Sequence, residues 1–185
     1  MINIPKKTLT SLLLLVPSVL FADANLTLVT VKPFEKSIYQ AAENQNINNG
    51  SPTDKQSFAL ESSGKAIGYF LAGQGFNQRD DSVCFVAWST QSPHITTLIP
   101  TIGYGNWESE ICNDTKAVGI ISAPNNTALK LAVIYQVQSP NATATESVIF
   151  NVSNSALAVD ENLTERIGAQ GATTIKELKS LYNNQ

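Results

Sequence analysis

Short runs of alternating apolar and polar residues recur along most of the chain. The clearest is LKLAVIYQVQ at residues 129–138, where Leu131, Val133 and Tyr135 fall on one side. A period of two places successive side chains on opposite faces of a β-strand, so this run predicts a strand with one buried face and one solvated face. Comparable runs predict seven further strands, at residues 26–31, 57–61, 66–72, 83–90, 95–99, 117–123 and 147–152.

Residues that favour tight turns separate many of these predicted strands. Serine, asparagine, proline and glycine cluster at residues 62–64, 124–126 and 139–141, which predicts three hairpin turns. The Gly-Gln-Gly sequence containing Gly73 and Gly75 predicts another turn, with glycine supplying a positive φ angle. The strands should therefore pair mainly with their neighbours along the chain.

The C-terminal part of the chain changes to a helical pattern. Asp160 can cap a short helix that ends at Gly168. Thr174 and Glu177 form a capping-box pattern ahead of a second helix at residues 175–182. Apolar residues recur every third position of this second helix, so it should pack one side against a sheet.

A polar, asparagine-rich segment interrupts the strand pattern near the start of the chain. Residues 35–56 predict a long loop with one helical turn at residues 36–42. Because strands dominate elsewhere, the fold class we expect is mainly β. The prediction is a single antiparallel β-sandwich or barrel-like domain at residues 25–185, with a short C-terminal helix packed on it.

The first 24 residues have the composition of a secretory signal peptide. Lys6 and Lys7 precede an apolar run, and Ala22-Asp23-Ala24 resembles a cleavage site. The run is shorter than the roughly 20 residues of a membrane span. Since Asn25 rather than a cysteine follows, we expect neither a lipid nor a membrane anchor. A bacterial protein in the periplasm, or secreted beyond it, is the expectation.

The two cysteines of the chain, Cys84 and Cys112, both follow the predicted cleavage site. An oxidising compartment favours their pairing, so the sequence predicts one disulfide. The loop-entropy account gives such a crosslink a contribution of roughly 3 to 4 kcal/mol to stability.

Charge and composition argue against several function classes. The full chain has a formal net charge of −3, without the clustered basic residues that nucleic acid requires. His94 is the only histidine and follows Ser92-Pro93 in a predicted connector, so we expect a solvated loop residue. Neither a metal site, a cofactor nor a hydrolase triad is therefore expected.

The stretch IPTIGYGNWESEIC at residues 99–112 is the strongest candidate for recognition. We expect Tyr104, Trp107, Glu108 and Glu110 to form a binding site on a loop, residues 102–110, supported by the disulfide. The favoured hypothesis is an exported, non-enzymatic binding protein. It would be an inhibitor or immunity protein whose loop enters the cleft of a toxin or cell-wall hydrolase.

Two other functions use the same exported β-scaffold. One is a carbohydrate-binding module or glycan-active enzyme, in which Glu108 and Glu110 lie on the same face of a strand beside the aromatic rings. The other is an adhesin-like surface domain that pairs through a strand edge. A protein partner is the leading expectation, with a glycan as the alternative ligand.

Overall fold

The computed structural model describes residues 24–123, 128–153 and 156–185. Residues 1–23 of the predicted signal peptide and the predicted turn at residues 124–126 lie outside these ranges. No helix in the described ranges combines the length and the apolar character needed to cross a membrane.

Two antiparallel sheets make up most of the described structure, and within each sheet every strand pairs with the next one along the chain. The sheets do not close into a barrel, so the fold is a mainly β sandwich. The first sheet contains β1 (Asn25–Leu28), β2 (Asn48–Ser62), β3 (Lys65–Phe76), β4 (Ser82–Ser89) and β5 (Thr97–Pro100). The second contains β6 (Ile111–Ile120), β7 (Leu129–Ser139), β8 (Ala142–Ser153) and β9 (Ala156–Val159).

Helices cover the outer faces of both sheets. Helix α1 (Glu35–Glu43) packs Ile38 and Ala42 on the first sheet. Helices α2 (Glu161–Ile167) and α3 (Ile175–Asn183) pack on the second sheet. The predicted C-terminal helix on a β-sandwich is confirmed, and the layers run helix, sheet, sheet, helix.

The largest apolar cluster lies between the two sheets. Alternate residues of β7, including Leu131, Val133 and Tyr135, point into it as the alternation predicts. The prediction that the other face of β7 is solvated is wrong at Ala132 and Ile134, which are fully buried. These two residues belong to the cluster beneath α2 and α3, so helix packing buries the second face as well.

The predicted disulfide between Cys84 and Cys112 is present and connects the two sheets. Cys84 lies on β4 and Cys112 on β6, with their Cα atoms 5.7 Å apart and both residues fully buried. The Thr101 hydroxyl lies 2.9 Å from the Cys84 carbonyl oxygen and 3.1 Å from the Tyr135 hydroxyl. The end of β5 is thereby fixed beside the crosslink.

The polar segment at residues 35–56 is not a long loop. It forms α1 and the first half of β2, which pairs with β3 at an irregular register. Pro52 falls at one of these irregularities, where a missing backbone N–H is tolerated. The turn predicted at Gly73 and Gly75 is also wrong, because both glycines are buried within β3.

Close packing explains these two buried glycines. A Cβ atom on Gly73 would lie 2.3 Å from the Phe85 ring, and one on Gly75 would lie 2.6 Å from Ile47. Glycine is therefore needed here for the close approach of side chains rather than for a turn.

The predicted helix starts are confirmed by their hydrogen bonds. Asp160 Oδ1 accepts from the Leu163 N–H at 3.1 Å, and Thr174 Oγ1 accepts from the Glu177 N–H at 3.2 Å. The Glu177 carboxylate accepts from the Thr173 N–H at 2.8 Å. In the usual capping box the glutamate accepts from the N-cap residue itself, which here is Thr174, so this hydrogen bond comes from one residue earlier.

Candidate functional site

The segment between β5 and β6 folds as a short, tightly held loop. A 3₁₀ turn occupies Gly105–Trp107, and the Gly103 N–H donates to the Trp107 carbonyl oxygen at 3.0 Å. Gly103 has a φ angle of +87°, and a Cβ atom there would lie 2.7 Å from the Ser82 carbonyl oxygen. Glycine is therefore required for this loop to approach β4.

The two aromatic residues of the loop lie against different parts of the core. Tyr104 is half-buried against the cluster between α1 and the first sheet. Trp107 is half-buried against the cluster between the two sheets. Ile102 is fully buried, so the part of the loop available to a ligand is residues 104–110.

Trp107 forms one wall of a cleft of about 680 Å³ between the loop and α2. We call this the acidic cleft, because carboxylates are its only charged lining groups. Its lining residues are Asn106, Trp107, Glu146, Glu161, Thr164, Glu165 and Ala169.

Glu146 reaches the acidic cleft from a core-facing position of β8. It lies directly opposite Tyr135 of β7, and such cross-strand partners project to the same face of a sheet. Val148 and Phe150 continue the same face and lie in the core between the sheets. Glu146 therefore occupies the inward-facing row where that row reaches the edge of the core.

Helix α2 forms the opposite wall and lies along the edge of β8. The Ile149 N–H donates to Thr164 Oγ1 at 2.9 Å, and Ile149 accepts from the Asp160 N–H at 2.8 Å. Farther on, Gly168 approaches the Ser147 carbonyl oxygen so closely that a Cβ atom there would be 2.4 Å away. These contacts fix Glu161 and Glu165 on the wall facing the loop.

The carboxylates near Trp107 lie in an unfavourable electrostatic environment. Burial raises the pKa of Glu110 above its ordinary value. Burial raises the pKa of Glu146 as well, and the negative charge of Glu110 raises it further. Glu110 Oε2 is buried and has no hydrogen-bond partner among the described residues. The folded chain therefore holds two adjacent acids that burial and mutual repulsion disfavour in their charged form.

Tyr104 lines a second cleft, of about 440 Å³, formed by three loops. We call it the amide cleft, because three of its side chains are carboxamides. Its lining residues are Asn46, Asn77, Gln78, Arg79, Gly103, Tyr104, Gly105 and Glu108.

Glu108 and Glu110 do not share a strand face. Both precede β6, which begins at Ile111, because the 3₁₀ turn continues into bends before the strand starts. Glu108 is exposed and lines the amide cleft, whereas Glu110 is half-buried beside Glu146. Of the four predicted site residues, Tyr104 and Glu108 therefore line the amide cleft and Trp107 lines the acidic cleft. Glu110 lines neither cleft and lies beside Glu146.

Glu146 was not predicted from sequence as a site residue. The apolar alternation of Val148, Phe150 and Val152 extends back to position 146, which carries a glutamate. A glutamate at a position where the alternation predicts a core-facing apolar residue was the signal that could have identified Glu146 as a candidate site residue. His94 is exposed in a loop, as predicted.

Within the described ranges, no group of three or more histidine, cysteine, aspartate or glutamate side chains is arranged to hold a metal ion. Comparison with protein-family models, curated proteins and solved structures gave no match.

Proposed function

We propose that this protein is an exported, non-enzymatic binding protein that holds a positively charged segment of a protein partner in the acidic cleft. Its action would be that of an inhibitor or immunity protein, occluding a toxin or a cell-wall hydrolase. The ligand group we propose is a lysine or arginine side chain, because the lining offers carboxylates and an indole ring.

The uncompensated charge of Glu110 and Glu146 is the observation that carries this proposal. The ion pairs among the described residues are Arg79 with Asp81, Lys116 with Asp114, and Lys130 with Asp160. None of them involves a carboxylate of the acidic cleft. Buried charge without a partner lowers the stability of the fold, and such costs are concentrated at functional sites.

A cationic side chain would supply what these two carboxylates lack. It would donate hydrogen bonds to the Glu146 carboxylate, which lines the cleft, and its charge would offset the repulsion between Glu146 and the neighbouring Glu110. Glu161 and Glu165, which are exposed on α2, would attract a basic surface at longer range.

Trp107 supports a protein partner because it combines a large apolar surface with a fixed position. Its backbone N–H donates to the Tyr104 carbonyl oxygen at 3.1 Å, and its ring packs against the inter-sheet core. Tryptophan residues held in this way are frequent energetic hot spots at protein interfaces. The intact Cys84 to Cys112 crosslink accords with an oxidising location, the periplasm or the exterior.

Affinity capture from the exported fraction of the source cells tests this proposal. The wild-type domain should retain a basic protein that elutes with increasing salt. Trp107→Ala and Glu146→Gln should each lose it. Glu43→Gln is the matched control, because it removes one exposed carboxylate from α1 on the other sheet. Retention by all four proteins, or recovery of no basic protein by the wild type, would contradict the proposal.

A further inference from the structure

The amide cleft is a second concave surface on the other side of the 104–110 segment, away from the acidic cleft. Asn46 comes from the turn after α1, and Asn77, Gln78 and Arg79 come from the turn between β3 and β4. The third contribution is the loop that carries Tyr104. The cleft has a volume of about 440 Å³, which falls within the range of small-ligand sites, roughly 300 to 1,000 Å³.

Tyr104 provides a fixed aromatic surface in this cleft. Its N–H donates to the Thr101 carbonyl oxygen at 3.2 Å, and glycines with positive φ angles flank it on both sides. Its half-buried side chain packs against the cluster beneath α1. A ring fixed in this way offers its apolar surface to a ligand at little entropic cost.

The guanidinium group of Arg79 is also held in a defined orientation. Its Nε atom donates to Asp81 Oδ2 at 3.1 Å, and Nη2 donates to the Glu108 carbonyl oxygen at 3.3 Å. Asn77 Oδ1 shapes the same turn by accepting from the N–H groups of Arg79 and Asp81, at 2.8 and 3.1 Å. The remaining donors of Arg79 therefore have a fixed direction before any ligand binds.

The two charged lining residues of this cleft, Arg79 and Glu108, have opposite signs. Arg79 is paired with Asp81, and the remaining polar lining side chains are three carboxamides, the Tyr104 hydroxyl and the Glu108 carboxylate. The lining therefore carries charges of both signs, in contrast to the acidic cleft, whose charged lining groups are all carboxylates. A ligand with many hydroxyl or amide groups and one apolar face would match both the planar polar groups and the ring.

We propose that the amide cleft binds an uncharged saccharide, with one sugar ring stacked on Tyr104 and its hydroxyl groups bonded to Gln78 and Arg79. This is a separate activity from the protein binding proposed above. A single chain would then engage a glycan and a protein on the two sides of the same loop. Because the sugar is assayed without any protein partner, failure of either proposal leaves the other standing.

Isothermal titration calorimetry of the intact domain with short, uncharged oligosaccharides of hexose and N-acetylhexosamine units tests this inference. We expect saturable binding of at least one of them by the wild type. Tyr104→Ala should abolish that binding, and Tyr104→Phe should retain it within a few-fold. Tyr39→Ala is the matched control, because Tyr39 is a 47 % exposed tyrosine on α1, and it should bind like the wild type.

Gln78→Ala keeps the test decisive if Tyr104→Ala fails to fold. Gln78 is exposed, and removing its amide should weaken binding by about three- to tenfold, the effect of one lost hydrogen bond. The inference is overturned if the wild type binds no uncharged oligosaccharide or binds only charged ones. It is equally overturned if binding survives unchanged in folded Tyr104→Ala or, where that variant does not fold, in Gln78→Ala.

Discussion

Glu146 illustrates how one residue can oppose the pattern around it. It occupies a row of β8 whose next members, Val148 and Phe150, are fully buried in the core. A carboxylate there loses part of its hydration and faces the charge of Glu110. An uncharged side chain would be more stable at this position, so the glutamate is better explained by binding than by folding.

Replacing Glu146 with glutamine should therefore stabilise the protein at neutral pH. The pKa of Glu146 is raised in the folded state above its ordinary value of 4.5, so the unfolded chain releases its proton first as the pH rises. Wild-type stability should consequently fall as the pH rises from 4.5 through the raised pKa. Urea denaturation across this window should show Glu146→Gln gaining up to about 1 kcal/mol over the wild type, a size limited by solvent screening.

The matched comparison for this stability prediction is again Glu43→Gln, which should follow the wild-type pH profile. At pH values well below 4.5, Glu146→Gln and the wild type should have nearly equal free energies of unfolding, because the glutamate is then protonated in both states. A stability difference that is constant across the whole pH range would contradict the assignment to ionisation of Glu146.

The sequence indicates some residues of the candidate site but not their arrangement. Tyr104, Trp107 and Glu110 could be selected because aromatic rings and acids flank glycine before a cysteine that forms a crosslink. The placement of Tyr104 and Trp107 in different clefts depends on the 3₁₀ turn at Gly105–Trp107. That turn arises from tertiary contacts, chiefly the close approach of Gly103 to β4, which local spacing does not encode.

Among the secondary-structure elements, α2 is the one that completes the acidic cleft. Asp160 caps it by accepting from the Leu163 N–H, and the same carboxylate forms a salt bridge with Lys130 of β7. Burial tends to raise the pKa of Asp160, but hydrogen bonds from Lys130 and Leu163, with the charge of Lys130, lower it overall. The wall of the cleft therefore depends on an ionised Asp160.

Substitutions of Asp160 should separate the stabilising effect of its helix-capping hydrogen bond from that of its negative charge. Asp160→Ala removes both and should lower the free energy of unfolding by about 1 to 2 kcal/mol, the usual effect of a lost N-cap. Asp160→Asn retains an oxygen acceptor for the Leu163 N–H and should lose less. Chemical denaturation monitored by circular dichroism measures both effects.

The dependence of the free energy of unfolding on pH tests the contribution of the Asp160 charge. Its pKa is lowered in the folded state, so its ionic contribution is complete above the ordinary value of 3.8 and is lost as the pH falls through the lowered pKa. The stability gap between the wild type and Asp160→Asn should be constant at higher pH and close on acidification below 3.8. A gap that widens on acidification would contradict this account.

For the strands, turns and helices, predictions from sequence succeeded where local patterns dominate. The alternation of β7, the hairpin turn at residues 62–64 and both C-terminal caps could be read directly. The first half of β2 was missed because its residues are polar and mostly exposed, and only pairing with β3 makes them a strand. The second buried face of β7 was missed because helices from the end of the chain cover it.

For the whole molecule, the disulfide is a covalent crosslink between the sheets and adjoins the loop that separates the two clefts. Replacing both Cys84 and Cys112 with alanine should lower the free energy of unfolding by about 3 to 4 kcal/mol. Calorimetry of the variant and of the wild type with and without reductant checks this value. Equal stability of the oxidised wild type and the double variant would show that the crosslink does not constrain the fold.

We propose that the acidic cleft binds a cationic group beside Trp107. A titration of isotope-labelled protein with a short arginine- and lysine-containing peptide, followed by nuclear magnetic resonance at physiological ionic strength, tests it most directly. We expect saturable shifts at the Trp107 indole and at Asn106, Glu146 and Thr164, which disappear in Glu146→Gln and persist in Glu43→Gln. Shifts scattered over the surface, or shifts at the cleft that are unchanged in Glu146→Gln, would contradict it.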